Sequence, residues 1–172
     1  MATAAEKDNA ISCLMHAIND AQETIRAYDT KAEILGVLIT LAIGLTNFTI
    51  FTNSTGSAKW TLVISWLVAL VAILSLGLVL HPKKNPFEKT SLGNFTPSST
   101  YFLTNIMSSP QNTVATLAAK ALVTDWVYEL MYENMKLSVI RDRKHNYFTW
   151  ALRLAGVMIL LIITSIVIWI MQ

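Results

Sequence analysis

The sequence predicts an all-α integral membrane protein with three transmembrane helices, whose N-terminal and central cytoplasmic helices form a helical hairpin or bundle. Of its 172 residues, 53% are hydrophobic and only 14% are charged, about half the charged share of a typical soluble domain. Residues 34–58, 60–82 and 154–172 carry no charge, and each stretch can cross about 30 Å of hydrocarbon as a helix. Residues 9–35 and 125–147 show helical periodicity, and the cytoplasmic part of the chain shows no strand pattern.

The same composition excludes several classes of protein. A soluble globule, a disordered chain and a secreted disulfide scaffold do not fit such an apolar, charge-poor sequence. A net charge of +2 is too small to indicate nucleic acid as a partner. The single cysteine, Cys13, can form neither an internal disulfide nor a zinc site.

We divide the chain into six segments, beginning with a cytoplasmic amphipathic helix at residues 1–33. The other five are transmembrane helix 1 (34–52), an external loop (53–60), transmembrane helix 2 (61–81), a cytoplasmic loop and helix (82–148) and transmembrane helix 3 (149–172).

A heptad pattern runs through residues 9–35, with apolar residues at alternating spacings of three and four. The seam comprises Ile11, Leu14, Ile18, Ala21, Ile25, Tyr28, Ala32 and Leu35. Such a pattern predicts a helix with one narrow packing face, and no glycine or proline breaks it before Gly36. The seam packs either on the protein's own cytoplasmic helix or on neighbouring chains.

The three uncharged stretches differ in character. In the first, Gly36, Thr40 and Gly44 stand four apart, a stripe that lets helix backbones approach closely. It serves packing within the monomer or lines a wetted path in an oligomer. The second is rich in Leu and Val and predicts a lipid-facing anchor. The third has Trp150 and Trp169 at its two ends, where aromatic residues favour the membrane interface.

The central segment divides into a loop and a helix. All four prolines fall between residues 82 and 110, and Ser109 followed by Pro110 is a helix-start signal. Residues 125–147 then continue as one helix into the third span. Along it, Asp125, Glu129 and Glu133 stand four apart, a spacing typical of a solvated face, which pairs here with Lys136 or with the N-terminal arm.

The positive charges predict the orientation. Three Lys or Arg residues precede the first span, eight lie between the second and third, and only Lys59 lies between the first two. Since positive loops stay cytoplasmic, the N-terminus is expected inside and the C-terminus outside. Arg153 is expected to snorkel to the cytoplasmic face.

Motifs of catalysis are scarce, so no enzyme activity, metal or cofactor is predicted. The three histidines lack metal-ligand spacing, and no glycine-rich phosphate loop or nucleophile elbow occurs. A basic cluster, Lys136, Arg141, Arg143 and Lys144, precedes the third span. These cations meet anionic lipid headgroups or hold a phosphate-bearing ligand, whose base would stack on aromatic residues such as Trp126 and Tyr132.

Two motifs are similar to a known family. The run Tyr28-Asp29-Thr30-Lys31-Ala32 resembles the (F/Y)-A-D-T-K-A-x-I-L-L signature of small bacterial membrane proteins. A second set falls in step with the pattern D-x-x-x-E-L…L-S-x-I-x-x-R-K: Asp125, Glu129, Leu130, Leu137, Ser138, Ile140, Arg143, Lys144 and Ala151. Residues 99–106 resemble a third segment of the family, with Thr104 in place of a glycine. The family comprises the transmembrane effectors of the Pycsar anti-phage defence systems, called PycTM.

This resemblance implies a function. A partner cyclase makes cyclic CMP or cyclic UMP on infection, and the effector responds by impairing the bacterial inner membrane, which causes abortive infection. It implies a multi-pass inner-membrane protein with the nucleotide as its regulatory ligand. Two other functions stay open: a holin-like or toxin-like pore that needs no ligand, and a scaffold subunit of a membrane complex.

Two structural expectations follow. A charge pair near the membrane is costly unless each partner is engaged, so we expect Asp29 to contact a cation such as Lys31, Arg143 or Lys144. The contact would hold the helices in register or gate the protein. The glycine stripe and the heptad seam predict a homo-oligomer, because three helices alone enclose no pathway.

Overall fold

A computed structural model of the protein describes residues 3–53, 56–81 and 114–171. Within these ranges the chain is helical, which confirms the all-α prediction. The helices are α1 (Ala4–Asn53), α2 (Ser57–Leu80), α3 (Val114–Val123) and α4 (Trp126–Met171). The predicted proline-bearing loop, the helix start at Ser109 and the segment 99–106 lie outside the described residues.

Local signals explain where the two long helices begin. At the start of α1, the backbone N–H of Thr3 donates to Glu6 Oε2 at 2.7 Å and the N–H of Glu6 donates to Thr3 Oγ1 at 3.4 Å, which is a capping box. The hydrogen bonds that the Glu6 carboxylate accepts from the backbone N–H and the hydroxyl of Thr3 lower its pKa. At the start of α4, Asp125 Oδ1 accepts a hydrogen bond from the N–H of Val127 at 3.2 Å. Asp125 of the second motif is therefore a helix cap.

The predicted continuity of both helices is confirmed. α1 runs for 50 residues and α4 for 46, so each joins a charged segment to an apolar one without a break. Between α1 and α2, Gly56 has a φ of 61°, a conformation that side chains with a Cβ rarely adopt.

Contacts divide the chain into two compact units. The first comprises residues 1–23 and 84–140, and the second comprises residues 24–83 and 141–172. In the first unit, Ile18 and Ala21 of α1 and Leu130 of α4 are buried. All eight heptad positions from Ile11 to Leu35 are buried or half-buried, so the seam is a packing face within the protein.

The core of the first unit also holds two carboxylates, which corrects one expectation. Glu129 is 1% exposed and Glu133 is 5% exposed, so the predicted solvated face is wrong for both and right only for Asp125. Burial raises the pKa of Glu133, and the neighbouring charge of Glu129 adds to this effect. The ammonium of Lys136, with Nζ 3.3 Å from Glu133 Oε2, opposes it.

The second unit is built around an apolar core from α1, α2 and α4. Its buried residues are Ala32, Ile39, Ala69, Ala72, Leu76, Val79, Ala151, Ala155, Met158 and Ile162. On α2 the buried positions 58, 62, 65, 69, 72, 76 and 79 follow a heptad of mostly small residues. α2 is therefore a packing helix, because small residues along one seam let helices approach closely, and its predicted contact with lipid stays a prediction.

Hydroxyl groups lie in the same core. Thr46, Ser65 and Ser165 are buried, and Ser165 Oγ of α4 donates to the carbonyl of Ala58 on α2 at 2.9 Å. Two described helices, α2 and α4, are long and apolar enough to span a membrane. The first predicted span, residues 34–52 of α1, stays a prediction.

Candidate functional site

The first motif lies where α1 and α4 contact each other inside the second unit. Tyr28 and Asp29 of α1 lie against Lys144, His145 and Phe148 of α4. Residues three or four apart lie on the same face of a helix, so Phe148 shares a face of α4 with both Lys144 and His145. We call this contact region the α1–α4 junction.

An ion pair occupies the junction. Lys144 Nζ donates to Asp29 Oδ1, and the two side chains are 12% and 33% exposed, respectively. The expected contact between Asp29 and a cation is confirmed, and the cation is Lys144. Because the lysine is nearly buried, removal of Asp29 would leave a positive charge with little access to water.

Tyr28 packs beside this pair. Its hydroxyl and His145 Nδ1 are 2.8 Å apart and share a hydrogen bond, and its ring lies edge-on to the His145 ring with 5.7 Å between centroids. The Phe148 ring is 5.9 Å from it. The sequence reasoning missed both partners. The sequence indicates these two residues only through their position on α4, one and four residues after Lys144.

The other two motif residues make local contacts. Thr30 Oγ1 donates to the carbonyl of Arg26 at 3.2 Å within α1. Lys31 Nζ lies 5.8 Å from the centroid of the Tyr28 ring, within the range of a cation–π interaction. The motif therefore combines one ion pair and one aromatic contact cluster, both of which tie α1 to α4.

The four cations of the basic cluster have different surroundings. Lys136 pairs with Glu133 in the first unit. In the second unit Arg141 Nη2 lies 3.2 Å from Asp142 Oδ1 in an exposed pair, and Lys144 pairs with Asp29. Arg143 is exposed, and among the described residues no ion pair involves it. Arg143 is thus the cluster member most accessible to an external anion.

The two aromatic candidates belong to the first unit. Trp126 is half-buried, and its indole Nε1 donates to the carbonyl of Ala121 at 3.1 Å. Tyr132 is half-buried as well. Their predicted contact with a nucleotide base stays a prediction.

The small-residue stripe faces an open groove of about 820 Å³ between α1 and α2. Gly36, Thr40, Gly44 and Gly77 line it. A Cβ on Gly36 would make only an ordinary contact with Leu76 at 3.7 Å, and a Cβ on Gly44 or Gly77 would meet nothing within 4 Å. Among the described residues, close helix packing therefore does not require Gly44 or Gly77.

These features define a class: a small α-helical membrane protein in which one ion pair and one aromatic cluster join two long helices. Residues 13–171 match the Pycsar effector protein domain, PycTM, and the chain belongs to this family of anti-phage defence effectors. No curated protein and no solved structure matches the chain.

Proposed function

We propose that the protein is a non-catalytic antiviral effector that binds cyclic CMP or cyclic UMP made by a partner cyclase. Binding would lead it to impair the bacterial inner membrane and abort the infection. The observation that carries this proposal is the family match over residues 13–171. The apolar helices α2 and α4 support a membrane target.

The nucleotide phosphate is assigned to Arg143. A cyclic nucleotide carries one phosphate charge, for which a guanidinium offers two parallel hydrogen bonds. Lys136 and Lys144 already hold buried or half-buried carboxylates, and their release would be costly. Arg141 is held only by an exposed pair, which contributes little, and can therefore join Arg143 on the ligand.

A binding measurement tests this assignment. With purified protein in detergent, Arg143→Gln should weaken binding of the cyclic pyrimidine nucleotide about tenfold, as expected for loss of a charge-assisted hydrogen bond. Arg26→Gln removes the same charge from another exposed arginine and should leave the affinity unchanged. Equal effects of the two substitutions would refute a specific site at Arg143.

Self-association is part of the proposal. The stripe at Gly44 is open to its surroundings, and an apolar groove in a membrane can hold the helix of a second copy. Gly44→Leu should fit the single chain but reduce oligomer formation in crosslinking. Gly156→Leu is the matched control, because a Cβ on Gly156 also meets nothing within 4 Å. An oligomer unaffected by Gly44→Leu would exclude this groove as the contact.

The proposed orientation has a native probe. Cys13 is the single cysteine, it is exposed, and it lies in the segment that the charge distribution assigns to the cytoplasm. A membrane-impermeant maleimide should label Cys13 only after the inner membrane is permeabilised. Labelling of intact spheroplasts would place the N-terminus outside.

An experiment in cells distinguishes the nucleotide-gated effector from the ligand-independent pore and from the scaffold subunit. The protein is expressed with an active cyclase or with a catalytically inactive one, and membrane potential is followed with a dye. The proposal predicts depolarisation with the active cyclase alone. Depolarisation with both would favour the ligand-independent pore, and depolarisation with neither would favour the scaffold.

A further inference from the structure

Trp150 and Arg153 lie on the outward side of α4, near the start of its apolar part. The buried positions of this stretch are Ala151, Ala155 and Met158. Trp150 is 59% exposed and Arg153 is exposed. These two side chains therefore point away from the core of the second unit.

The two side chains contact each other. Arg153 Cζ lies 5.5 Å from the centroid of the Trp150 ring, the geometry of a cation–π interaction. Among the described residues no carboxylate lies within ion-pair distance of Arg153, in contrast to Lys136, Arg141 and Lys144. Its guanidinium is held in place while its hydrogen-bond donors stay available.

The position of Arg153 along α4 determines which groups its guanidinium can bind. Tryptophan favours the level of the lipid headgroups, and an unpaired guanidinium is costly in hydrocarbon. Exposed apolar residues follow directly on the same side of the helix, Val157 and Leu160. A partner for this surface must present a phosphate at one end and an apolar chain at the other.

We propose that Trp150 and Arg153 form a binding site for an anionic phospholipid. The guanidinium donates to the headgroup phosphate, and the acyl chain lies along Val157 and Leu160. A phospholipid with a net negative charge is favoured over a zwitterionic one, because the latter brings an ammonium group close to the arginine. The site is independent of the nucleotide response.

Fluorescence quenching in nanodiscs tests the proposal. A small fraction of the lipid is brominated, as phosphatidylglycerol in one sample and as phosphatidylcholine in another. The Trp150→Phe variant is measured in parallel, and its signal is subtracted to isolate the emission of Trp150. The quantity compared is the quenching by brominated phosphatidylglycerol relative to that by brominated phosphatidylcholine.

The wild type should show a ratio of about five, the contribution of one cation at the membrane surface. Arg153→Gln should bring the ratio close to one, and Arg153→Lys should retain part of it. Lys7→Gln, which removes the same charge from a distant exposed lysine, should leave the wild-type ratio. Insertion of each variant is verified by alkaline extraction.

Three results would overturn the proposal. The first is a wild-type ratio near one, and the second is a ratio that Arg153→Gln leaves unchanged. The third is a ratio that an excess of inorganic phosphate abolishes, because this would identify a site for free anions rather than for a lipid.

Discussion

The two units of the protein differ in what their cores contain. In the first, two glutamates of α4 lie beside apolar residues. In the second, the core is made of aliphatic residues and methionine, and its buried polar groups are hydroxyls that donate to backbone carbonyls. A buried carboxylate makes stability depend on protonation and on its cationic partner, whereas an aliphatic core does not. The core of the first unit is thus sensitive to protonation, whereas the aliphatic core of the second unit is not.

The largest expected effect tests whether the first unit has a packed core at all. Leu130 is buried and its neighbour Met131 is 46% exposed. Leu130→Ala should destabilise the protein by about 2–5 kcal/mol, and Met131→Ala by less than about 0.5 kcal/mol. Thermal unfolding in detergent, followed by circular dichroism, measures both. Equal effects would contradict the assignment of Leu130 to a core.

A second substitution tests the ion pair of the second unit. Asp29→Ala leaves Lys144 nearly buried without its carboxylate, and should cost about 1–3 kcal/mol. Asp142→Ala removes the acid of an exposed pair and should cost less than about 1 kcal/mol. Thermal unfolding in detergent, followed by circular dichroism, measures both changes in stability. If Asp29→Ala matched the control, the pair would play no part in holding α1 against α4.

The smallest effect concerns the buried acid. Because the pKa of Glu133 is raised above its ordinary value of 4.5, the folded protein binds this proton more tightly than the unfolded chain. The residue therefore favours the fold below pH 4.5 and loses this contribution as the pH rises through the raised pKa.

Glu133→Gln should consequently stabilise the protein at neutral pH, because it removes a carboxylate whose charge burial disfavours, and should flatten the pH dependence of its unfolding. Asp125→Asn serves as the comparison, because Asp125 is exposed and an asparagine can still cap α4. A loss of stability in Glu133→Gln at neutral pH would mean that the contact with Lys136 outweighs the cost of burial.

Much of the fold could be predicted from the sequence. The unbroken heptad and the absence of glycine or proline before Gly36 predicted α1 as one helix, and the residues after Asp125 predicted α4 in the same way. Both predictions are confirmed because local periodicity alone determines them. The apolar stretches likewise place α2, although its buried heptad of small residues was concealed by the leucines and valines around it.

The contacts between helices were harder to predict. Charge near the membrane required a cation for Asp29, yet three candidates lay within reach, and only the packing of α1 on α4 selects Lys144. The four-residue spacing of Glu129 and Glu133 resembles a solvated face, because periodicity gives the face of a helix but not what covers it. The hydrogen bond between Tyr28 and His145 has no local signal, since 117 residues separate the two.

The most direct test of the account is a flux measurement with the purified protein alone. The protein is reconstituted into liposomes with a potassium diffusion potential, and cyclic CMP, cyclic UMP or cyclic AMP is enclosed or added outside. We expect one of the two pyrimidine nucleotides to collapse the potential when it meets the cytoplasmic side, and cyclic AMP to have no effect. A potential that persists with both pyrimidine nucleotides, or that collapses without any nucleotide, would contradict the claim that this membrane protein is gated by a cyclic pyrimidine.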